Sequence, residues 1–311
     1  MLRRLPGPAL ALTPVVALAL ALVIALAGCG SGSSTAGSGR GPTVVAAENF
    51  WGSIAAQLAG SRGRVQSIIT DPSQDPHSYE PKPSDARTLA TAELAIVNGI
   101  GYDPWAPKLL AANPVSGRLV LTVGDLFGLK AGDNPHRWYD PANVEAVASA
   151  ITGDLRRLDP RDAAYFDRQH QAFEIAGLAA YHRLIAQIRA RYSGVAVGAS
   201  ESIFAPLAPS LGLDLITPPS FMKAISEGAE ASPADSAAAG RQISNHQIKV
   251  WIYNSQNATP DIQRLTGLAR SAHIPIATVT ETLSPASASF QQWQVAQLQG
   301  LERALHQATG R

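Results

Sequence analysis

The stretch Thr43-Val44-Val45-Ala46-Ala47, passing at once into Phe50-Trp51-Gly52-Ser53-Ile54-Ala55-Ala56-Gln57-Leu58, decides the fold. A short apolar run rich in β-branched residues reads as a buried strand, and the apolar residues behind it fall on one face of a helix. The alternation continues along the chain. Val65 to Thr70 reads as a second strand, and Ser84 to Ala92 as a helix entered at Pro83-Ser84-Asp85. Leu94 to Val97 reads as a strand ending in Asn98-Gly99, and Leu119 to Val123 as another. Strands alternating with helices predict an α/β fold, a parallel sheet with helices on its faces.

A weak internal repeat doubles this plan. Val44 to Gly60 is echoed by Val195 to Gly212, each a strand passing into a helix that ends in glycine. Ile68-Ile69-Thr70-Asp71-Pro72-Ser73 is echoed by Leu215-Ile216-Thr217-Pro218-Pro219-Ser220, and Ile96-Val97-Asn98 by Ile252-Tyr253-Asn254. The preserved order predicts two pseudo-symmetric (β/α) lobes with parallel sheets. Between them, Arg161 to Arg191 contains no proline and one glycine, Gly177, with Phe166, Phe173, Leu178, Leu184 and Ile188 among its apolar residues. Thirty helical residues span about 45 Å, so one long rigid helix is expected to join the lobes. The predicted divisions are 43–158 for the first lobe, 159–191 for the linking helix and 192–311 for the second lobe. His170 and His182 lie twelve residues apart on that helix. They are separated by about 120° around a regular α-helix and read as surface histidines that cannot share a ligand.

The N-terminus has the pattern of an export signal. Arg3 and Arg4 precede an almost unbroken apolar run from Pro14 to Ala27, which is short for a membrane-spanning helix. Leu26-Ala27-Gly28-Cys29 resembles the lipobox of bacterial lipoproteins, which implies a signal peptide over 1–28 and lipid on the thiol of Cys29. Gly30 to Pro42 is built of small and polar residues that bury nothing, so 29–42 is expected to act as a flexible tether reaching about 20 Å. An extracytoplasmic protein anchored to the membrane through Cys29 is the expectation.

Cys29 is the single cysteine. The folded body therefore has no disulfide and no thiolate metal ligand, and any metal must be held by nitrogen and oxygen. The chain has 25 basic and 24 acidic residues. Removing Arg3 and Arg4 with the signal leaves 25 − 2 = 23 basic residues against the same 24 acids. A near-neutral body carries no electrostatic footprint for nucleic acid. About 270 residues remain, enough for two lobes with separate cores.

Two tripeptides carry the chemistry, Asp75-Pro76-His77 and Asn134-Pro135-His136. Proline fixes φ near −65°, and an Asp or Asn before it bonds its own backbone to fix a turn. Both imidazoles are thus aimed before any ligand arrives, and neutral imidazole is the commonest metal ligand. In open α/β sheets ligands bind beyond the carboxyl ends of the strands. Val195-Ala196-Val197 is followed there by Ala199-Ser200-Glu201-Ser202, with a helix expected from Ile203. Glu201 is either a carboxylate at a helix N-terminus, favoured by the macrodipole, or a ligand. Glu281, beyond the strand Ile274 to Val279, has the same two readings.

Asp75-Pro-His-Ser-Tyr-Glu-Pro81, Pro83-Ser84-Asp85, Asn98-Gly-Ile-Gly101, Asn134-Pro-His-Arg-Trp-Tyr-Asp-Pro141 and Glu201-Ser-Ile-Phe204 together carry a resemblance. The chain resembles the zinc/manganese-type metal-binding solute-binding lipoproteins of ABC importers over essentially its whole length. The resemblance implies two lobes joined by a long helix, with a metal at their interface. It implies His77 and His136 as ligands from the first lobe and Glu201 as a third, with Zn2+ or Mn2+ as transported ligand. Partners are then ABC permease membrane subunits, the protein itself being a monomer and not an enzyme. The chain departs from the family at the fourth ligand: relatives often carry an Asp near the C-terminus, where this chain reads Ala288-Ser289-Phe290-Gln291. Glu281 or a water stands in its place. Asn254 likewise occupies a position where relatives often carry a carboxylate. Alternatives are a surface adhesin or a metallohydrolase, the latter without a His-Glu-x-x-His helix to support it.

Overall fold

The structure, a computed structural model, describes residues 41–311. The signal segment, Cys29 and nearly all of the tether lie outside the described residues.

In the first lobe β1 (Thr43–Glu48) leads into α1 (Asn49–Ala59), and β2 (Arg64–Ile69) into α2 (Pro83–Ala90). Next come β3 (Leu94–Val97), α3 (Trp105–Ala112), β4 (Leu119–Thr122) and the single turn α4 (Val123–Leu126). The 18-residue α5 (Pro141–Leu158) follows. Asp140 caps it by accepting from the backbone N–H groups of Ala142 and Asn143, and Pro141 takes the first position, where its missing N–H is no loss.

After α6 (Ala163–Ala172) and α7 (Ala179–Tyr192) the plan repeats. The second lobe contains β5 (Ala196–Ala199), α8 (Ala208–Leu211), β6 (Asp214–Leu215) and α9 (Pro219–Ser226). It continues with α10 (Pro233–Ser244), β7 (Val250–Asn254), α11 (Pro260–Ser271), β8 (Ile276–Val279) and α12 (Phe290–Thr309).

Both sheets are wholly parallel, ordered β2-β1-β3-β4 and β6-β5-β7-β8. The two orders match strand for strand, which is the structural form of the sequence repeat. Alternate residues of β1 face opposite ways. Val44 and Ala46 enter the main core, while Val45 and Ala47 pack with Leu89 and Trp105 on the other face of the sheet. Strands covered on both faces read as continuous apolar runs, and for that reason the sequence showed them clearly.

The cores are not separate. One apolar cluster runs from Val44 through Trp138 and Tyr181 to Trp251 and Leu305, because α12 packs against α1 of the first lobe as well as α7 and β8. Nor is the stretch Arg161–Arg191 one regular α-helix. It opens as a 3-10 turn over Pro160–Asp162, and a π turn at Phe173–Gly177 separates α6 from α7. There the N–H of Leu178 donates to the carbonyl of Phe173 at 2.8 Å.

The π turn has a packing reason. Phe173 and Tyr181 are both buried, but eight residues of α-helix would set them about 80° apart. A π turn absorbs one residue and brings them back to one stripe, about 20° apart. It re-phases His170 and His182 in the same way, from about 120° to about 20°. His170 Nε2 lies 3.3 Å from Glu174 Oε1 and His182 Nε2 lies 3.0 Å from Glu145 Oε1. Both rings act to lower the pKa of Glu174, against the larger upward pull of its burial. The two histidines therefore face one ionic cluster rather than opposite sides.

At the carboxyl end of β1, Glu48 is buried, and among the described residues neither carboxyl oxygen meets the geometry of a hydrogen bond. Burial first, and the neighbouring Asp103 second, raise its pKa well above the ordinary value. Asp103, pushed up to about 6 by burial, accepts from the N–H groups of Asn98 and Gly99 at 2.7 and 2.8 Å. A carboxyl whose folded pKa is raised keeps its proton in the native state after the unfolded chain has lost it. Stability then falls as pH rises between the two values. Glu48→Gln removes that dependence, so its gain in Tm over the parent should grow from pH 5 to pH 8 in thermal melts. A constant difference would contradict this.

Candidate metal centre

The two Pro-His turns form as the residues dictate. Asp75 caps a 3-10 turn over Pro76–Ser78, accepting from the N–H of His77 at 2.9 Å and the hydroxyl of Ser78 at 3.1 Å. Asn134 Oδ1 accepts from the N–H of His136 at 3.0 Å and lies 2.8 Å from its Nδ1. That second contact puts the ring proton on Nδ1 and leaves Nε2 with a free lone pair. Asn98, at the end of β3, fixes the same loop: its amide donates to the carbonyl of Pro135 at 3.0 Å, and its oxygen accepts from Trp51 Nε1 at 3.0 Å.

The rings converge. The imidazole centroids of His77 and His136 are 6.1 Å apart, and each packs edge-on to Tyr102. His136 is fully buried. The Nε2 atoms of both histidines are shielded from solvent and have no hydrogen-bond partner among the described residues. Glu281 Oε2 approaches His136 Nε2 to 3.4 Å and accepts from the Tyr102 hydroxyl at 3.0 Å. One donor atom from each of His77, His136 and Glu281 lies within 4.8 Å of the others, and among the described residues this is the one cluster with that property.

Glu201 stands one residue further out, joined to the cluster through Asn254. The Asn254 amide donates to Glu201 Oε1 and, at 3.1 Å, to Glu281 Oε1. Its own oxygen is occupied by the N–H of Gln256 at 3.0 Å, which fixes the amide's orientation. Glu201 Oε2 accepts from Asn257 Nδ2 at 2.9 Å. No α-helix starts at Ile203. A 3-10 turn covers Ser202–Phe204 and α8 begins only at Ala208, so a macrodipole does not explain the burial of Glu201.

The electrostatics suit a cation. Burial lowers His136 to about 4, and burial also lowers His77, so both imidazoles are neutral donors at neutral pH. Burial pushes Glu281 up to about 7. Burial, then the charge of Glu281, pushes Glu201 up to about 7. Two carboxyls held in this way bind protons unless a positive ion replaces them. A cavity of about 490 Å3 reaches the cluster from solvent, with Asp75, His77, Glu227 and Glu281 on its wall. Two nitrogens and two carboxylates compose a nitrogen–oxygen set that suits Zn2+ in a tetrahedral shell and, with bidentate carboxylates, Mn2+.

Of the four residues singled out in the sequence, the structure brings His77, His136 and Glu281 into one group and leaves Glu201 outside it, linked through Asn254. Sequence reasoning missed Tyr102 and Asn257, and saw Asn254 only as a departure from a family pattern. The repeat held the signal for Asn254, since it pairs with Asn98: each ends the third strand of its lobe and spends its amide on groups at the cluster. Asn134 Nδ2 also crosses the cleft to the carbonyl of Ser202 at 2.8 Å. Removing it frees the His136 ring and cuts that bridge. Outer partners of metal-ligating histidines are worth about 10–100-fold in affinity, and Asn134→Ala should weaken metal binding within that range by competition titration. An unchanged dissociation constant would exclude the role.

Two parallel α/β lobes closing on a buried nitrogen–oxygen cluster define a cleft-type cation-binding architecture. Residues 44–304 match the family of the zinc-uptake complex component A, periplasmic (ZnuA), and the chain belongs to that family. The manganese-binding lipoprotein MntA of Halalkalibacterium halodurans is 32% identical over 136 residues, 43% of this chain and 45% of that one. The metal ABC transporter substrate-binding lipoprotein SloC of Streptococcus mutans is 29% identical over 144 residues, 42% of this chain and 47% of that one. The chain thus spans about half the length of these curated relatives. Among solved structures, the Mn-bound periplasmic metal binding protein of Candidatus Liberibacter asiaticus superposes with a TM-score of 0.70 at 20% identity, covering 85% of this chain and 99% of that one. A crystal structure of ZnuA gives 0.69 at 20%, covering 86% and 99%. At that identity the likeness establishes the fold.

Proposed function

We propose that the protein captures one divalent transition metal ion, Zn2+ or Mn2+, between His77, His136, Glu201 and Glu281 and delivers it to an ABC permease. The observation that carries this reading is the pair of buried Nε2 atoms, unpartnered among the described residues, on two histidines that cluster with Glu281. A buried polar atom without a partner costs about 1–3 kcal/mol, and a cation accepting both lone pairs removes that cost. Family membership supports the same reading. The ion is cargo, so the protein acts by binding rather than by catalysis. Protein stripped with a chelator takes up about one equivalent of Zn2+ or Mn2+ by calorimetry; no uptake of either ion overturns the reading.

The reading places 43–158 and 192–311 as the two lobes on either side of the linking segment 159–191. It places the body outside the membrane, monomeric, held by lipid on Cys29. Labelling with radioactive palmitate tests the anchor, and a label that persists in Cys29→Ser removes it.

A further inference from the structure

Glu281 follows β8, a strand of the second lobe, yet its segment is bonded to the first. Along one stripe of α1, at four-residue spacing, stand Asn49, Ser53 and Gln57, successive rungs about 6 Å apart. The first rung bonds the segment that joins β8 to α12, and the other two bond the first turn of α12. Asn49 Oδ1 accepts from the N–H of Leu283 at 3.2 Å, and Ser53 Oγ accepts from the N–H of Phe290 at 2.9 Å. Gln57 and Gln291 exchange amide bonds in both directions, at 3.0 and 2.6 Å. Upstream, the Tyr139 hydroxyl donates to the carbonyl of Thr280 at 2.9 Å, and Tyr102 holds the Glu281 carboxylate itself. First-lobe residues thus grip the chain on both sides of Glu281, while the N–H groups of Glu281 and Thr282 donate to Gln256 of the second lobe at 2.6 and 3.1 Å.

Glu201 is held differently. Its carboxylate bonds Asn254, Asn257 and Ser226, all of the second lobe. The first lobe reaches its backbone neighbour through the Asn134–Ser202 bond. The Asn254 amide donates to both carboxylates.

We propose that Asn49, Ser53 and Gln57 are positioning residues that set Glu281 beside His77 and His136, making three of the four ligands a preassembled unit of the first lobe. Glu201 is then the ligand that travels with the second lobe and leaves first when the ion is released. This rests on the metal-capture reading and adds a division of labour within it. The mutual proximity of His77, His136 and Glu281, with Glu201 outside that group, is the geometry such a unit requires.

The test is a double-mutant cycle on the mature protein, with Co2+ as probe for its visible spectrum and Mn2+ for affinity. Ser53→Ala/Gln57→Ala is combined with Glu281→Gln and, separately, with Glu201→Gln. The α1 pair should weaken Mn2+ binding about tenfold and move the Co2+ spectrum toward that of Glu281→Gln. Its effect should largely vanish when Glu281 is already Gln and persist in full when Glu201 is Gln. Ser53→Thr, which keeps the hydroxyl, should restore most of the loss when exchanged for alanine in the pair. Full additivity with Glu281→Gln, or an unchanged spectrum, overturns the inference, because a merely structural role would lower Tm without selecting between the two carboxylates. Failure of the unaltered protein to bind either ion overturns the capture reading as well. Binding without coupling overturns this inference alone.

Discussion

His136→Ala lowers affinity for Zn2+ and Mn2+ by more than about 100-fold, the upper end of what a mere outer partner of a ligand contributes. Three features of the site converge on this residue. Its ring is fully buried, so no water replaces the lost nitrogen without entering an aromatic pocket walled by Tyr102 and Trp138. Its tautomer is set by Asn134, leaving Nε2 as a donor. Its Nε2 lies 3.4 Å from Glu281 Oε2, so the two donors close on the same ion. His77, which forms part of the solvent-reaching cavity, should give a smaller loss. Competition against a chromogenic chelator measures both. Near-wild-type affinity in His136→Ala would remove the residue from the site.

Acidification weakens binding steeply between pH 7 and pH 5, before the His136 imidazole titrates. The sign follows from the folded, metal-free protein. Glu201 and Glu281 are raised to about 7, so below pH 7 each takes up a proton that the metal must displace. His136, lowered to about 4, stays neutral throughout this window. Ordinary exposed carboxylates would ionise near pH 4 and leave affinity flat from 7 to 5. Binding at pH 6 should therefore release at least about one proton per ion, read from calorimetry in buffers of different ionisation enthalpy. Affinity should fall about tenfold or more from pH 7.5 to pH 5.5. A flat profile over that range would mean that the carboxyls do not ligate.

Much of the fold could be read from local pattern because parallel strands, covered on both faces, leave unbroken apolar runs. β1 and β3 announced themselves in this way, β4 shows the same apolar run although Val120 is half exposed, and the repeat gave the second lobe. The Pro-His turns were legible because proline and the preceding Asp or Asn fix geometry within three residues. Long-range features were not. The π turn at Phe173–Gly177 changes helical phase by one residue, and only the partners of Phe173 and Tyr181 across the core reveal that it is required. The merged core and the bonds of α1 to the 283–291 segment join residues more than 200 positions apart, beyond the reach of periodicity. α12 had a readable start, since Ser289 and Gln292 form a capping box. Glu281 was legible by its place beyond a strand, whereas Tyr102 had no signal except its position after the Asn98-Gly99-Ile100-Gly101 loop.

Anomalous diffraction at the zinc and manganese edges, on crystals of protein loaded from a mixture of both ions, tests the site most directly. A single peak is expected about 2.0–2.2 Å from His77 Nε2, His136 Nε2 and oxygens of Glu201 and Glu281, with carboxylates supplied by the second half of the chain and imidazoles by the first. A peak bound by residues of one lobe only, or located away from the two imidazoles, would contradict the account.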